Sequence, residues 1–166
     1  MEIDIYRLRQ IYNAAIANGY YAYSTTTTLN AYSKFLAGQE KLGDAKVPAS
    51  GRVAFCSYAF YSLIKQDTSF MLASEVAMNE RINGMVGMVD GVKLVVVPSS
   101  YLAPNVDFIL CHPSATVAAE KLTEYIVRDN VQGFSGVVIE GRVIYGCFVI
   151  DQKVNGIYVS GKALIS

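Results

Sequence analysis

The stretch Asn83–Pro113, NGMVGMVDGVKLVVVPSSYLAPNVDFILCHP, holds the two most apolar short runs of the chain, Val92–Val97 and Phe108–Cys111. Turn chemistry bounds each run. Asp90-Gly91 precedes the first and Pro98-Ser99-Ser100 follows it; Ala103-Pro104-Asn105 precedes the second and Pro113 follows. Short β-branched runs between Gly, Pro and Asn clusters read as strands. Val95-Val96-Val97 shows no alternation, which predicts a central strand covered on both faces. The connection between the runs is too wide for a two-residue turn, so the strands are either neighbours or flank a third. Gly51–Cys56 is the candidate third strand. With helices between such strands, the chain predicts an α+β core.

Composition narrows the class. The chain has 166 residues, 52% hydrophobic and 17% charged, with zero formal net charge. That apolar content supports a core and argues against disorder. The low charge points to surface buried against a partner. No Lys/Arg cluster exceeds a pair, so no nucleic-acid footprint is visible. No apolar run approaches a membrane span, and MEIDIYRLRQ lacks the apolar segment of a signal peptide. Cys56, Cys111 and Cys147 sit in apolar, strand-like contexts; an odd count there predicts reduced, buried thiols of a cytoplasmic protein.

In chain order, Ile5, Leu8, Ile11, Tyr12, Ala15 and Ile16 give Ile3–Ala17 the spacing of an amphipathic helix, ended by Asn18-Gly19. Tyr20–Tyr23 suits a short strand or packed loop. Thr27 or Thr28 is the expected N-cap of a second helix through Leu42, with Leu29, Tyr32, Phe35 and Leu36 on one face. Ser57 caps a third helix, Tyr58–Lys65, with Phe60, Leu63 and Ile64 inward. Asp67 or Ser69 opens a fourth, through about Glu80. Beyond Pro113, Ser114–Ala119 reads as a short helix and Lys121–Asp129 as a strand. Val137–Ile150 is strongly β, with bulges or bends expected at Gly141 and Gly146. Asp151–Asn155 then turns the chain into Gly156–Val159, predicting a terminal hairpin. The expected core is Val53, Phe55, Leu63, Leu94, Val96, Phe108, Leu110 and Val149.

The ordered set of motifs carries a resemblance. A Tyr-rich helix leaves through Val47-Pro48-x-x-Gly51-Arg52. Cys56-Ser57-Tyr58, VDGVKLVVVP (Val89–Pro98) and DFILCHPSA (Asp107–Ala115) follow. Last come Gly136-x-x-Ile139-Glu140-Gly141-Arg142-x-x-Tyr145-Gly146-x-Phe148-Val149-Ile150 and Lys153-x-x-Gly156-Ile157-Tyr158-Val159. In this order the chain, from about Leu29 to Val159, resembles the C-terminal part of tailed-phage major capsid proteins with the Hong Kong 97 fold. The resemblance implies a mixed or antiparallel central sheet with flanking helices, the axial domain, plus an elongated β-hairpin region, the peripheral domain. It divides the chain into a helical spine or peripheral segment (1–45), an axial-like core (46–119) and a peripheral-like β region (120–166). Little precedes Ile3, so the family's N-terminal arm and extended loop are expected to be missing. The family's Lys–Asn crosslink has no matching residues here.

Candidate chemistry is sparse. Cys111-His112 contains the chain's single histidine. Adjacent strand residues point to opposite faces, so the two are poorly placed for one metal or a dyad. A buried thiol and a strand-end histidine are expected. Gly133-Phe134-Ser135-Gly136 lacks the full nucleophile-elbow pattern, and Gly84, Gly87 and Gly91 match no phosphate-binding fingerprint. Glu140 and Arg142 share one strand face; they are either a partly exposed ion pair or an intersubunit contact. The leading expectation is thus a structural capsid subunit or fragment from a phage or prophage. It has no catalytic, cofactor or metal site, and its partners are copies of itself and other capsid components, not specific nucleic acid or membrane. It would reside in the virion after assembly in the bacterial host cytoplasm. The alternative is a small cytoplasmic α+β enzyme or ligand-binding domain with a site near His112, Cys111 and Asp90.

Overall fold

The computed structural model describes residues 2–67, 87–129, 132–133 and 136–162. Its elements are α1 (Glu2–Ala17), β1 (Tyr21–Tyr23), α2 (Ala31–Asp44), β2 (Val53–Ser57), α3 (Tyr58–Gln66), β3 (Met88–Val89), β4 (Val92–Val97), β5 (Val106–Cys111), β6 (Thr116–Asp129), β7 (Val137–Val149) and β8 (Ile157–Gly161), with short 3₁₀ turns between some of them. Among the described residues, six strands form a mixed sheet in the order β1-β8-β5-β2-β4-β3, and β6 and β7 pair in a separate sheet. The architecture is α+β, as the strand-and-helix pattern predicts.

Strand period places the helices in two layers. Phe108 and Leu110 of β5 and Ala54 and Cys56 of β2 join Val92 and Leu94 of β4 on one face. There they pack against Phe35 and Leu42 of α2 and Phe60 and Ile64 of α3. Ile109 and Cys111 of β5 and Val97 of β4 take the other face, with Ile157 and Val159 of β8, against Leu8, Ile11 and Ala15 of α1. Consecutive residues therefore serve opposite layers. Every residue of β5 is buried, because this strand lies inside the sheet with a helix layer on each side.

The wide connection between the two apolar runs is explained by β2, which lies between β4 and β5, parallel to the first and antiparallel to the second. Val95 and Val96 pack on opposite clusters, so β4 is covered on both faces. It is not central, however. Among the described residues only the two-residue β3 lies outside it, joined through Asp90 (φ 48°) and Gly91 (φ 77°), a tight hairpin turn with both residues left-handed.

Other expectations are corrected. Asn30 rather than a threonine precedes α2, and its Oδ1 accepts from the Thr27 N–H instead of capping the helix. Leu29 and Leu36 are exposed; the buried face is Ala31, Phe35, Gly38 and Leu42. Ser57 does cap α3, its Oγ accepting from the Phe60 N–H at 3.2 Å. Of the expected Ser114–Ala119 helix, only the 3₁₀ turn Pro113–Ala115 forms; Thr116 onward is strand, where cross-strand pairing with β7 outweighs local helix preference. Gly156–Val159 forms no hairpin with β7. Instead β8 returns to the large sheet between β1 and β5. Of the expected core, Leu94, Phe108 and Leu110 are buried, while Val53, Phe55, Leu63, Val96 and Val149 are half-buried. The expected fourth helix and the Phe134-Ser135 centre of the glycine-flanked loop lie outside the described residues.

Bulges occur where no glycine marked them. The β6–β7 register shifts between Leu122 and Glu124. The β5–β8 register shifts between Val106 and Phe108, leaving Asp107 as the extra residue. That insertion lets Val106 join the α1-side cluster and Phe108 the opposite one.

Candidate assembly surfaces

The displaced Asp107 is 2% exposed. Its carboxylate accepts from the Thr26 hydroxyl, and Lys34 Nζ lies 3.8 Å and Lys162 Nζ 4.0 Å away. Burial pulls Lys34 below the usual lysine range, while Asp107 opposes that shift. Two cations and a hydroxyl make this a compensated internal charge that ties the segment before α2, α2 itself and the end of β8 to the bulge. A shallow cavity of about 480 Å³ lies beside it, lined in part by Ser57, Tyr58, Asn105 and Lys162.

His112 and Cys111 do not converge. Cys111 is buried, and burial pushes its thiol up to about 12. Both histidine ring nitrogens are engaged elsewhere: Nδ1 is 2.7 Å from Ser114 Oγ and Nε2 is 3.1 Å from the Ser50 carbonyl. The Ser114 N–H also donates to Nδ1, making His112 the cap of the turn at Pro113. Asp90 accepts from the Tyr32 hydroxyl at 2.9 Å. These residues serve local structure, and the described residues contain no cluster of three or more metal-binding side chains. All three cysteines are buried and free.

The long β6–β7 hairpin carries most of the exposed large apolar residues among the described residues. Its root is anchored. The ring of Tyr6 on α1 meets Tyr145 edge-on at 5.5 Å, Arg7 pairs with Glu120 at 2.8 Å, and Cys147 is buried beneath α1. Farther out nothing among the described residues covers it. Val127 and Ile139 face each other across the strands and are 63% and 68% exposed. Tyr125, Val137 and Val143 add to the same exposed face. A two-stranded ribbon has no core of its own, so apolar residues along it gain by being covered.

Glu140 and Arg142 both lie exposed on the opposite face of this hairpin. Glu140 pairs across the strands with Arg128 at 3.2 Å, an ion pair that period-two spacing along β7 alone did not reveal. Arg142 stands opposite Glu124 in the register.

Solved structures share this arrangement. A structure from Mycobacterium phage Che8 superposes with a TM-score of 0.61 at 21% identity, covering 84% of this chain and 51% of that one. The capsid structure of the cyanophage P-SCSP1u superposes with a TM-score of 0.64 at 14% identity, covering 84% and 48%. The chain has the fold of a tailed-phage capsid protein. It spans about half the length of these two chains. No family model matches the sequence, nor does any curated protein. No helix among the described residues is long and apolar enough to cross a membrane.

Proposed function

We propose that this chain is a structural, non-enzymatic subunit of a phage or prophage capsid, acting by association with copies of itself and with other capsid components. The observation that carries the reading is the β6–β7 hairpin: anchored at its root by α1 and, among the described residues, exposed and apolar beyond it, on a capsid fold. Shell assembly is geometric. Many copies bury complementary surfaces, and contacts that are weak singly add up to a closed structure. In this reading 46–119 contributes the axial-like core, 120–166 the peripheral-like β region and 1–45 the helical segment beside it. The chain works in the virion after assembly in the host cytoplasm. The alternative, an enzyme or binding domain centred on His112, finds no support in a histidine whose two ring nitrogens bond to Ser114 and Ser50.

The test is the composition of particles. Lysates of the cells that carry this sequence are banded by density, and the proteins of the particle band are identified by mass spectrometry. The expected result is peptides of this chain among the most abundant in the band. Abundant chain in the soluble fraction with none in the particles would defeat the reading.

A further inference from the structure

His112 stands at the joint between the two sheets. It follows the last residue of β5, and the turn Pro113–Ala115 behind it leads straight into β6. Its backbone N–H is held by the Gly156 carbonyl at 2.9 Å, and the residue is half-buried. The ring's contacts fix where its proton sits. Nε2 lies 3.1 Å from the Ser50 carbonyl, which can only accept, so Nε2 carries the proton of the neutral ring. Nδ1 is then an acceptor, and it receives the Ser114 N–H at 3.2 Å and the Ser114 hydroxyl at 2.7 Å. The neutral ring thus ties the segment before β2 to the turn before β6. We propose that His112 is a proton-operated clasp on this joint, closed while the ring is neutral and opened when it is protonated. The inference goes beyond the capsid reading and does not depend on it.

A second proton enters at Nδ1, where it meets the Ser114 N–H head-on. The hydroxyl adapts, because Ser114 Oγ can turn from donor to acceptor. The Nε2–H bond to Ser50 survives and is strengthened by the charge. The Ser114 N–H has no such freedom and loses its partner. Pro113 brings no N–H to the turn, so its cap is gone. Two backbone bonds remain there, from the Ala115 N–H to the His112 carbonyl and from the Thr116 N–H to the Pro113 carbonyl. A single turn without its cap frays. This turn is one of the two links between the hairpin and the large sheet, and the Ile150 N–H joins it to the other at the Ala115 carbonyl, 3.0 Å away. Charged and titratable groups on the surrounding elements are Lys46 on the segment leading to Ser50, Arg52 beyond it, Asp151 and Lys153 on the turn that carries Gly156, and the Cys111 thiol. Arg52 is spent on the Pro48, Gln39 and Val47 carbonyls, and burial keeps Cys111 a thiol. Among the described residues none of these groups bonds to the ring. His112 is the single histidine of the chain, and histidine is the side chain that changes charge between about pH 5 and pH 8.

The experiment is solution NMR on the whole isotope-labelled chain at about pH 7.5 and about pH 5. Amide exchange rates are divided by those of an unstructured peptide at the same pH, which removes the intrinsic pH dependence. At the lower pH Ser114 is expected to lose protection by about fivefold or more, the change that loss of one capping bond produces. Thr116 should lose protection with it. The ring nitrogens of His112 should report the Nε2–H tautomer at the higher pH. Phe60, whose N–H is capped by Ser57, is the control and should keep its protection. His112→Asn puts at the cap an acceptor that cannot titrate, so its Ser114 protection should be the same at both pH values. The Nδ1–H tautomer at the higher pH, Ser114 protection indifferent to pH, or the same loss at Phe60 or in His112→Asn would each overturn the inference. A loss confined to Ser114 would overturn the clasp's hold on the joint. Should His112→Asn fail to fold, the wild-type titration decides. Ser114 must then lose protection with the midpoint at which the His112 ring nitrogens titrate, and a different midpoint overturns the assignment.

Discussion

Gly38 of α2 lies directly beneath the ring of Tyr158 on β8: a Cβ built at residue 38 would sit 2.8 Å from Cδ1 and 2.9 Å from Cε1 of that ring. Both residues are buried, and the contact sets how closely helix and sheet approach. Alanine at this position gains about 1 kcal/mol of helix propensity but overpacks a filled interface, which costs roughly 1–3 kcal/mol. Gly38→Ala is therefore expected to lower stability by about 1 kcal/mol, and Gly38→Leu by more. Gly43, in the last turn of the same helix with nothing within 4 Å, is the control: Gly43→Ala should stabilise by up to about 1 kcal/mol. Urea melts of the variants decide this, and equal effects at both positions would refute it.

Truncation of the inner strand should be costly. Leu110 is fully buried, between β2 and β8 in the sheet and against the α2/α3 layer. Leu110→Ala is expected to lose about 2–5 kcal/mol, near the upper end if the layers cannot close the void. Val53→Ala, at a half-buried position on the same sheet, should lose about 1 kcal/mol or less. A midpoint shift for Leu110→Ala no larger than that for Val53→Ala would show that the β5 register is wrong.

The buried thiols make stability fall in alkali. Burial pushes Cys56 and Cys111 from 9.0 up to about 12. Because the folded value lies above the unfolded one, the native state holds the proton longer. Stability is unaffected below about pH 9 and is lost as pH rises from there toward 12. The slope is about 1.4 kcal/mol per pH unit for each thiol. Denaturant midpoints at pH 8 and pH 10 measure it, and Cys56→Ala should remove one thiol's share of the slope whatever it does to stability at neutral pH. An unchanged slope in that variant would show that Cys56 titrates normally.

Asp107 tests the bulge. Asp107→Ala leaves Lys34 in a partly buried site without its carboxylate, and such a loss costs about 3 kcal/mol. Asp107→Asn retains an acceptor for the Thr26 hydroxyl and should cost less. Combining Asp107→Ala with Lys34→Met should recover part of the loss, because the stranded charge is removed with its partner. Strictly additive losses in the double variant would show that the two residues do not interact.

Local chemistry made most single elements legible. The heptad-like spacing of Leu8, Ile11 and Ala15 marks α1, Ser57 marks the start of α3, and Asp90-Gly91 marks the tight turn before β4. The place of each strand was less legible. Nothing near Ile157–Gly161 says that this segment pairs with residues about fifty positions earlier on one side and with Tyr21–Tyr23 on the other. Pairing over such distances is settled by which edges remain open after the rest of the chain has packed. Bulges hid for a related reason. They fell at Asp107 and between Leu122 and Glu124, where no glycine signals them, because the mismatch arises between strands and not within one.

The sequence alone reveals that Glu140 and Arg142 flank a glycine on one face of a long β run, since period two is a property of the strand itself. It also determined two apolar runs, a mixed α+β composition and a surface poor in charge. The packed fold was needed to show that Val137–Val149 pairs with Thr116–Asp129, that Glu140 meets Arg128, and that Val127 and Ile139 are exposed. Strand propensity depends on a few neighbouring residues, whereas exposure and edge status depend on where every other element has come to rest. The same period-two pattern would be buried in the middle of the large sheet; here, among the described residues, α1 reaches only the hairpin's root.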